Sequence, residues 1–184
     1  MRVHGAGANV ALLRGINVGG KNILPMKDLV ALFVEVGCSE VSSYIQSGNV
    51  IFRARPALVA GLSALIGKGI ADRFGIRVPV VIRTAEELRD IARGNPFLKT
   101  KADPAMLHVA FLADVPSAPR VAMLDANRSP PDAYSVHGRE IFLHCPNGFG
   151  RTKLTNQYFD SKLATISTVR NWRTVLKLLE LAGG

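Results

Sequence analysis

Residues 9–22 read NVALLRGINVGGKN, and this stretch decides the fold. Its first five residues form a short apolar run of strand length, and the rest is rich in the Gly and Asn that let a chain turn. The residues beyond Asn22 separate the architectures that begin this way. Pro25 suits the first turn of a helix, Met26, Leu29, Val30, Phe33 and Val36 recur at helical spacing, and Gly37 stops it. Val41 to Gln46 and Asn49 to Arg53 read as two strands around Ser47-Gly48-Asn49, a hairpin signal. Leu58, Leu62, Leu65, Ile66, Ile70 and Phe74 make the next helix, ended by Gly75. Val78 to Ile82 is a strand carrying Pro79, which confines it to a sheet edge. Thr84 and Glu87 form a capping box for a short helix that ends near Gly94. The order is β-α-β-β-α-β, with one extra helix.

A linker at 96–103, bounded by Asn95-Pro96 and Asp103-Pro104, separates a first half, 1–95, from a second, 104–184. There the plan repeats. Met106 to Ala113 is a strand, Pro119 to Asn127 a helix, and Ala133 to His137 with Glu140 to Cys145 a hairpin. Thr152 to Ala164 is a helix, Thr165 to Thr168 a strand, and Asn171 to Ala182 a closing helix with Trp172 on its apolar face. Letters repeat as well as pattern. Asn9-Val10-Ala11-Leu12-Leu13 is echoed by His108-Val109-Ala110-Phe111-Leu112, and Tyr44, Gly48, Ile51 and Phe52 by Tyr134, Gly138, Ile141 and Phe142. Both hairpins are thereby expected to turn at a Gly in the type II′ manner. The fold class is α/β (α+β), two ferredoxin-like βαββαβ halves with antiparallel sheets in the order 4-1-3-2, each with an additional helix.

The composition, 48% hydrophobic and 20% charged over 184 residues, is that of a globular protein. No run approaches the roughly 18 apolar residues of a membrane span, and Arg14 cuts short the one apolar stretch near the start, so neither a membrane partner nor a secretory signal is expected. Cys38 and Cys145 lie far apart without a CxxC spacing, which points to reduced thiols and a cytoplasmic location. The net charge of +9 favours anionic partners, either a small molecule or a nucleic acid. Its distribution is uneven. Residues 1–24 carry Arg2, Arg14 and Lys21 and no acid, and 151–184 carry Arg151, Lys153, Lys162, Arg170, Arg173 and Lys177 against Asp160 and Glu180.

In a ferredoxin-like half the loop after the first strand and the central hairpin emerge at one end. In the first half this brings Arg14, Asn17, Lys21 and Asn22 beside Gln46, Ser47 and Asn49. In the second half the informative loops lie at the other end, around Arg151, Lys153 and Asn156, and around Arg170 and Asn171. Each precedes a helix start, where backbone N–H groups and the helix dipole favour an anion. These twelve residues are the candidate ligand contacts, and the two polar ends are expected to face one another across one basic cleft.

More specific motifs fail. Gly15 to Asn22 imitates a P-loop but ends in Asn22, which lacks the hydroxyl that holds magnesium, and Pro25 puts the helix start several residues too late. His4, His108, His137 and His144 show no ligand spacing, so no metal is expected, and His108 and His144 read as core residues in strands. Ser47 lacks the nucleophile-elbow pattern, no carboxylate pair accompanies the polar motifs, and neither thiol has an evident His partner. An RRM-like sheet would display aromatics on its central strands, whereas Leu12, Leu13, Val50 and Ile51 stand there.

Together Leu12 to Asn22, Tyr44-Ile45-Gln46-Ser47-Gly48-Asn49-Val50, Lys153-Leu154-Thr155-Asn156 and Arg170-Asn171-Trp172-Arg173-Thr174 closely resemble a bacterial family of unknown function, DUF1697, from about Asn9 to Leu181. The resemblance implies a two-part fold with ferredoxin-like halves and brings no activity, cofactor or catalytic residue. Asp160 departs from the Glu usual in similar chains, and Leu163-Ala164-Thr165 from the expected Leu-Gly. The expectation is a binding protein for an anionic ligand, without a cofactor. An enzyme acting on a phosphorylated or other anionic substrate and a protein-interaction module are the alternatives, and the absent base ranks the enzyme lower.

Overall fold

The computed structural model describes residues 7–183. The chain divides into two compact units, one holding the residues up to Arg89 and those from Leu178, the other Asp90–Lys177.

In the first unit β1 (Gly7–Leu13) lies between β3 (Asn49–Ala54) and β4 (Val80–Thr84), and β2 (Ser39–Tyr44) pairs with β3. The sheet order β2-β3-β1-β4 is the antiparallel ferredoxin-like one, and β4 takes the expected edge, although it begins after Pro79 and not at Val78. α1 (Met26–Glu35) and α2 (Pro56–Phe74) cover one face. Alternation decides which strand residues meet them: Ala11, Leu13, Val50 and Phe52 join Leu29, Phe33, Leu62, Ile66 and Ile70 in one core. Burying side chains such as Leu13 or Phe52 stabilises by about 2 kcal/mol each. On the opposite face Val10, Leu12, Ile51 and Val81 are buried too. Both faces of β1 are thus covered, which is why its sequence is a continuous apolar run and not an alternating one. α3 (Ala85–Gly94) starts at the expected capping box, with the Glu87 amide donating to Thr84 Oγ1 (3.1 Å) and the Thr84 amide to Glu87 Oε2 (2.8 Å).

The second unit repeats the plan. β5 (Leu107–Leu112), β6 (Ala133–His137), β7 (Glu140–His144) and β8 (Ser167–Asn171) stand in the order β6-β7-β5-β8. Ala110, Leu112, Ile141, Leu143 and Cys145 pack on Leu154, Tyr158, Phe159 and Leu163, most of them from α5 (Asn156–Leu163). α6 (Trp172–Leu181) follows β8 with Trp172 buried, and its residues from Leu178 belong to the first unit. Among the described residues no helix is long and apolar enough to cross a membrane.

Three local expectations are corrected. The helix read over Pro119 to Asn127 shrinks to α4 (Ala118–Val121). Beyond it the Asp125 side chain takes the Asn127 amide (2.8 Å) and Tyr158 Oη takes the Asp125 amide (2.8 Å), so side chains compete with the helical ladder. Strand β8 begins at Ser167 and not at Thr165. Thr165 instead accepts the Asp114 amide with its hydroxyl (3.1 Å). The hairpins also differ. Gly138 turns the second within two residues at φ 58°, as type II′ requires, whereas the first has a four-residue turn in which Gly48 comes last. Equal spacing of Tyr, Gly, Ile and Phe therefore hid unequal registers: Ile51 pairs with Ser42, but Ile141 pairs with Val136.

Candidate functional site

The loop end of the first unit is built around Asn17. β1 ends where the Leu13 amide donates to Gly48 O (2.8 Å), and the Arg14 amide donates to Pro79 O (3.1 Å), so the next loop starts between the hairpin and the β4 edge. The loop turns on itself through positive φ at Gly15, Asn17, Gly19, Gly20 and Asn22. Gly and Asn are the residues that reach this region at least cost, which explains why the stretch is written with them. Asn17 then ties it down. Its Nδ2 donates to Gln46 O (2.9 Å) and to Leu24 O (2.9 Å), its Oδ1 accepts the Leu24 amide (2.8 Å), and its own amide donates to Asn22 O (3.1 Å). Asn22 Nδ2 donates to Gly15 O (2.9 Å), and the Lys21 amide to Val18 O (3.0 Å). On the hairpin side Asn49 is fully buried and donates to Tyr44 O and Ser47 Oγ (both 3.1 Å). Ile16 plugs the space beneath. A Cβ on Gly48 would lie 2.8 Å from Leu13 Cβ and 3.0 Å from Ile16 Cδ1, so only Gly lets the two loops close on each other.

Of the seven residues expected here, the structure brings all into one loop cluster and sorts them into two kinds. Asn17, Asn22, Ser47 and Asn49 make the hydrogen bonds that shape the loops. Lys21 and Gln46 are exposed, and Arg14 is half-buried.

In the second unit the loop before α5 is held by Ser129, whose Oγ accepts the Lys153 amide (3.0 Å), and Thr155 caps the helix by accepting the Tyr158 amide (3.2 Å). Asn156 and Asp160 turn inward to Ser167: Ser167 Oγ lies 2.7 Å from Asp160 Oδ1 and 3.1 Å from Asn156 Oδ1, and the Ser167 amide donates to Asp160 (2.8 Å). Asn171 caps α6 through the Thr174 amide (2.8 Å). Arg170 is buried, with Nη1 donating to Thr168 Oγ1 and Val169 O (both 2.9 Å), and desolvation lowers its pKa to about 10. Arg151 and Lys153 remain exposed. Of the five residues expected in this unit, three serve the fold and two are presented to solvent.

Sequence reading singled out Arg170 but missed Arg83 and the equivalence of the two. Arg83 stands opposite Val10 as Arg170 stands opposite Val109, and each donates from Nη1 to the carbonyl of its preceding residue, Ile82 or Val169, at 2.9 Å. Each is succeeded by a helix-capping residue, Thr84 or Asn171. Ile82-Arg83-Thr84 against Val169-Arg170-Asn171 is thus a third echo between the halves, and it makes the extra helix part of the repeat. Also missed was a groove of about 440 Å³ at the opposite end of the first sheet, lined by Gly37, Ser39, Arg53, Arg55 and Leu58, where Arg53 pairs with Glu40 at 2.8 Å. Nothing in the periodicity of those residues marked a concavity.

The chain is similar over 96% of its length to a solved structure, the conserved bacterial protein SP0830 from Streptococcus pneumoniae, of which it covers 99% at 20% identity and a TM-score of 0.72. That likeness is one of fold. No curated protein matches the chain. Residues 7–142 match the family described as Protein of unknown function (DUF1697), and with the two four-stranded sheets and the Asn17-centred loop in place, the chain belongs to that family.

Proposed function

We propose that this chain is a binding protein whose first unit takes an anionic ligand, a phosphorylated small molecule or a nucleic-acid strand, on the Gly15–Asn22 loop and the adjoining hairpin turn. One observation carries the reading. Asn17 locks loop to hairpin while Lys21 and Gln46 point to solvent, and neither 14–27 nor 41–49 contains an acid. A loop already held in its bound shape loses little freedom on association, and a local excess of positive charge steers an anion to it. Arg151 and Lys153 offer a second basic loop in the other unit. A cytoplasmic location fits Cys38 and Cys145, both buried free thiols whose pKa burial pushes up to about 11.

The test is fluorescence anisotropy with short single-stranded RNA, single-stranded DNA, a duplex, and pyrophosphate as competitor, at low and physiological salt. Arg14→Ala and Lys21→Ala are expected to weaken binding by about fivefold to tenfold each, Lys21→Ala with thermal stability nearly unchanged. Binding that is indiscriminate and vanishes at physiological salt would reduce the +9 charge to background. Equal binding by wild type and both variants would remove this loop from the reading.

A further inference from the structure

The loop end of the first unit carries more than charge. Val18, Ile23 and Ile45 are 62%, 70% and 50% exposed, and all three flank the Asn17 hub. Val18 comes directly after Asn17. Ile23 lies between Asn22, whose carbonyl accepts the Asn17 amide, and Leu24, which hydrogen-bonds the Asn17 side chain twice. Ile45 precedes Gln46, whose carbonyl accepts from Asn17 Nδ2. The loops that the Asn17 side-chain amide holds together thus carry three exposed aliphatic residues as well as Lys21 and Gln46.

Ile45 sharpens the point. Its φ of 51° is left-handed, a conformation that β-branched residues avoid and that Asn or Gly would adopt with less strain. A residue chosen only to turn the hairpin would not be an isoleucine, least of all one half exposed to water. Strained, solvent-facing side chains on rigid loops belong to contact surfaces.

We propose, going beyond the anionic-ligand reading above, that this loop end docks a partner protein through a segment that combines acidic and apolar side chains. Charge complementarity supplies the acid: Arg14, Lys21 and Lys27 lie in or beside the cluster, and the first acid of the chain is Asp28. The aliphatic residues supply the rest. Nucleic-acid bases stack on aromatic faces, and the exposed side chains here are Val and Ile. A lipid surface would bury the Gln46 amide and the peptide groups of exposed Gly19 and Gly20 in hydrocarbon that cannot pair them, whereas a protein surface can.

The experiment selects displayed random dodecapeptides on the full chain and measures each enriched peptide by anisotropy at physiological salt. It compares wild type, the triple variant Val18→Ser/Ile23→Ser/Ile45→Ser, and the charge variant Arg14→Ala/Lys21→Ala. The expected peptides are rich in Asp or Glu beside aliphatic residues and bind each variant about tenfold more weakly than wild type. Ile45→Asn serves as a second probe: it should raise the melting temperature by relieving the turn and still weaken the same peptides. Peptides that bind the triple variant as tightly as wild type, or that lack acids, overturn the proposal. So does loss of phosphatidylserine-vesicle binding in the triple variant without a discriminating peptide, which would make the surface a membrane contact. If RNA or pyrophosphate binding falls in the charge variant while the serine substitutions change nothing, this proposal fails and the anionic-ligand reading stands. If the charge variant keeps all binding, both fail.

Discussion

Both N–H donors of the Asn17 side chain and its carbonyl oxygen are engaged within the loop cluster, so its amide acts as a third strand of backbone would, satisfying groups that no sheet reaches. Removing it leaves the Gln46 carbonyl and two Leu24 groups to find water or go unpaired. Asn17→Ala is expected to cost about 2–3 kcal/mol in urea denaturation. Asn17→Asp should restore only the acceptor half, since a carboxylate cannot donate to Gln46 O. A stability equal to wild type in Asn17→Ala would mean that the loop holds its shape without the hub. The Gly and Asn letters of this stretch were legible as turn chemistry. Which Asn would face inward was not, because an amide that shapes a loop and one that meets a ligand look alike until their partners are placed.

At the scale of elements, α2 ends where its sequence signal says, while α4 stops well short of the expected Asn127. α2 ends at Gly75 with φ 67°, the usual left-handed cap, but α5 ends at Ala164, which takes φ 54° with a Cβ. Ala164→Gly is therefore expected to stabilise the chain by about 1 kcal/mol, readable as a higher urea midpoint with an unchanged slope. The departure from Leu-Gly in the sequence has its physical counterpart there. The hairpins carry the opposite lesson: Gly48→Ala should cost about 3 kcal/mol or more, because the added Cβ meets Leu13 and Ile16 from a left-handed residue, while Gly138→Ala, with nothing within 4 Å, should cost only its strain. Similar costs at both glycines would show that the first turn can shift to make room.

Over the whole molecule, stability should depend on pH through His108, which is buried against Phe149 with ring centroids 4.8 Å apart and whose Nδ1 lacks a hydrogen-bond partner. Desolvation lowers its pKa from the usual 6.5, partly offset by the Met106 backbone. The unfolded chain then binds the proton more readily than the folded one, so this contribution is whole above about pH 6.5 and is lost as pH falls below it. His108→Asn, which copies the residue at the equivalent place in β1, should flatten the fall in melting temperature between pH 7 and 5; an unchanged slope would assign the effect elsewhere. Lower still, the Glu35 carboxyl, held below its ordinary range by Arg73, gives a contribution that disappears as it protonates. Sequence by itself determined the element order, the internal repeat, the edge strand and the burial of β1, because periodicity, Pro and Gly act through local sterics and through the requirement that apolar residues be buried. Only tertiary structure decided the shorter α4, the unequal hairpin registers, the inward turn of Asn156 and Arg170, and the exposure of Val18, Ile23 and Ile45 on loops held together by one amide. Those depend on which groups from distant parts of the chain arrive within hydrogen-bond reach, and no local pattern encodes that distance.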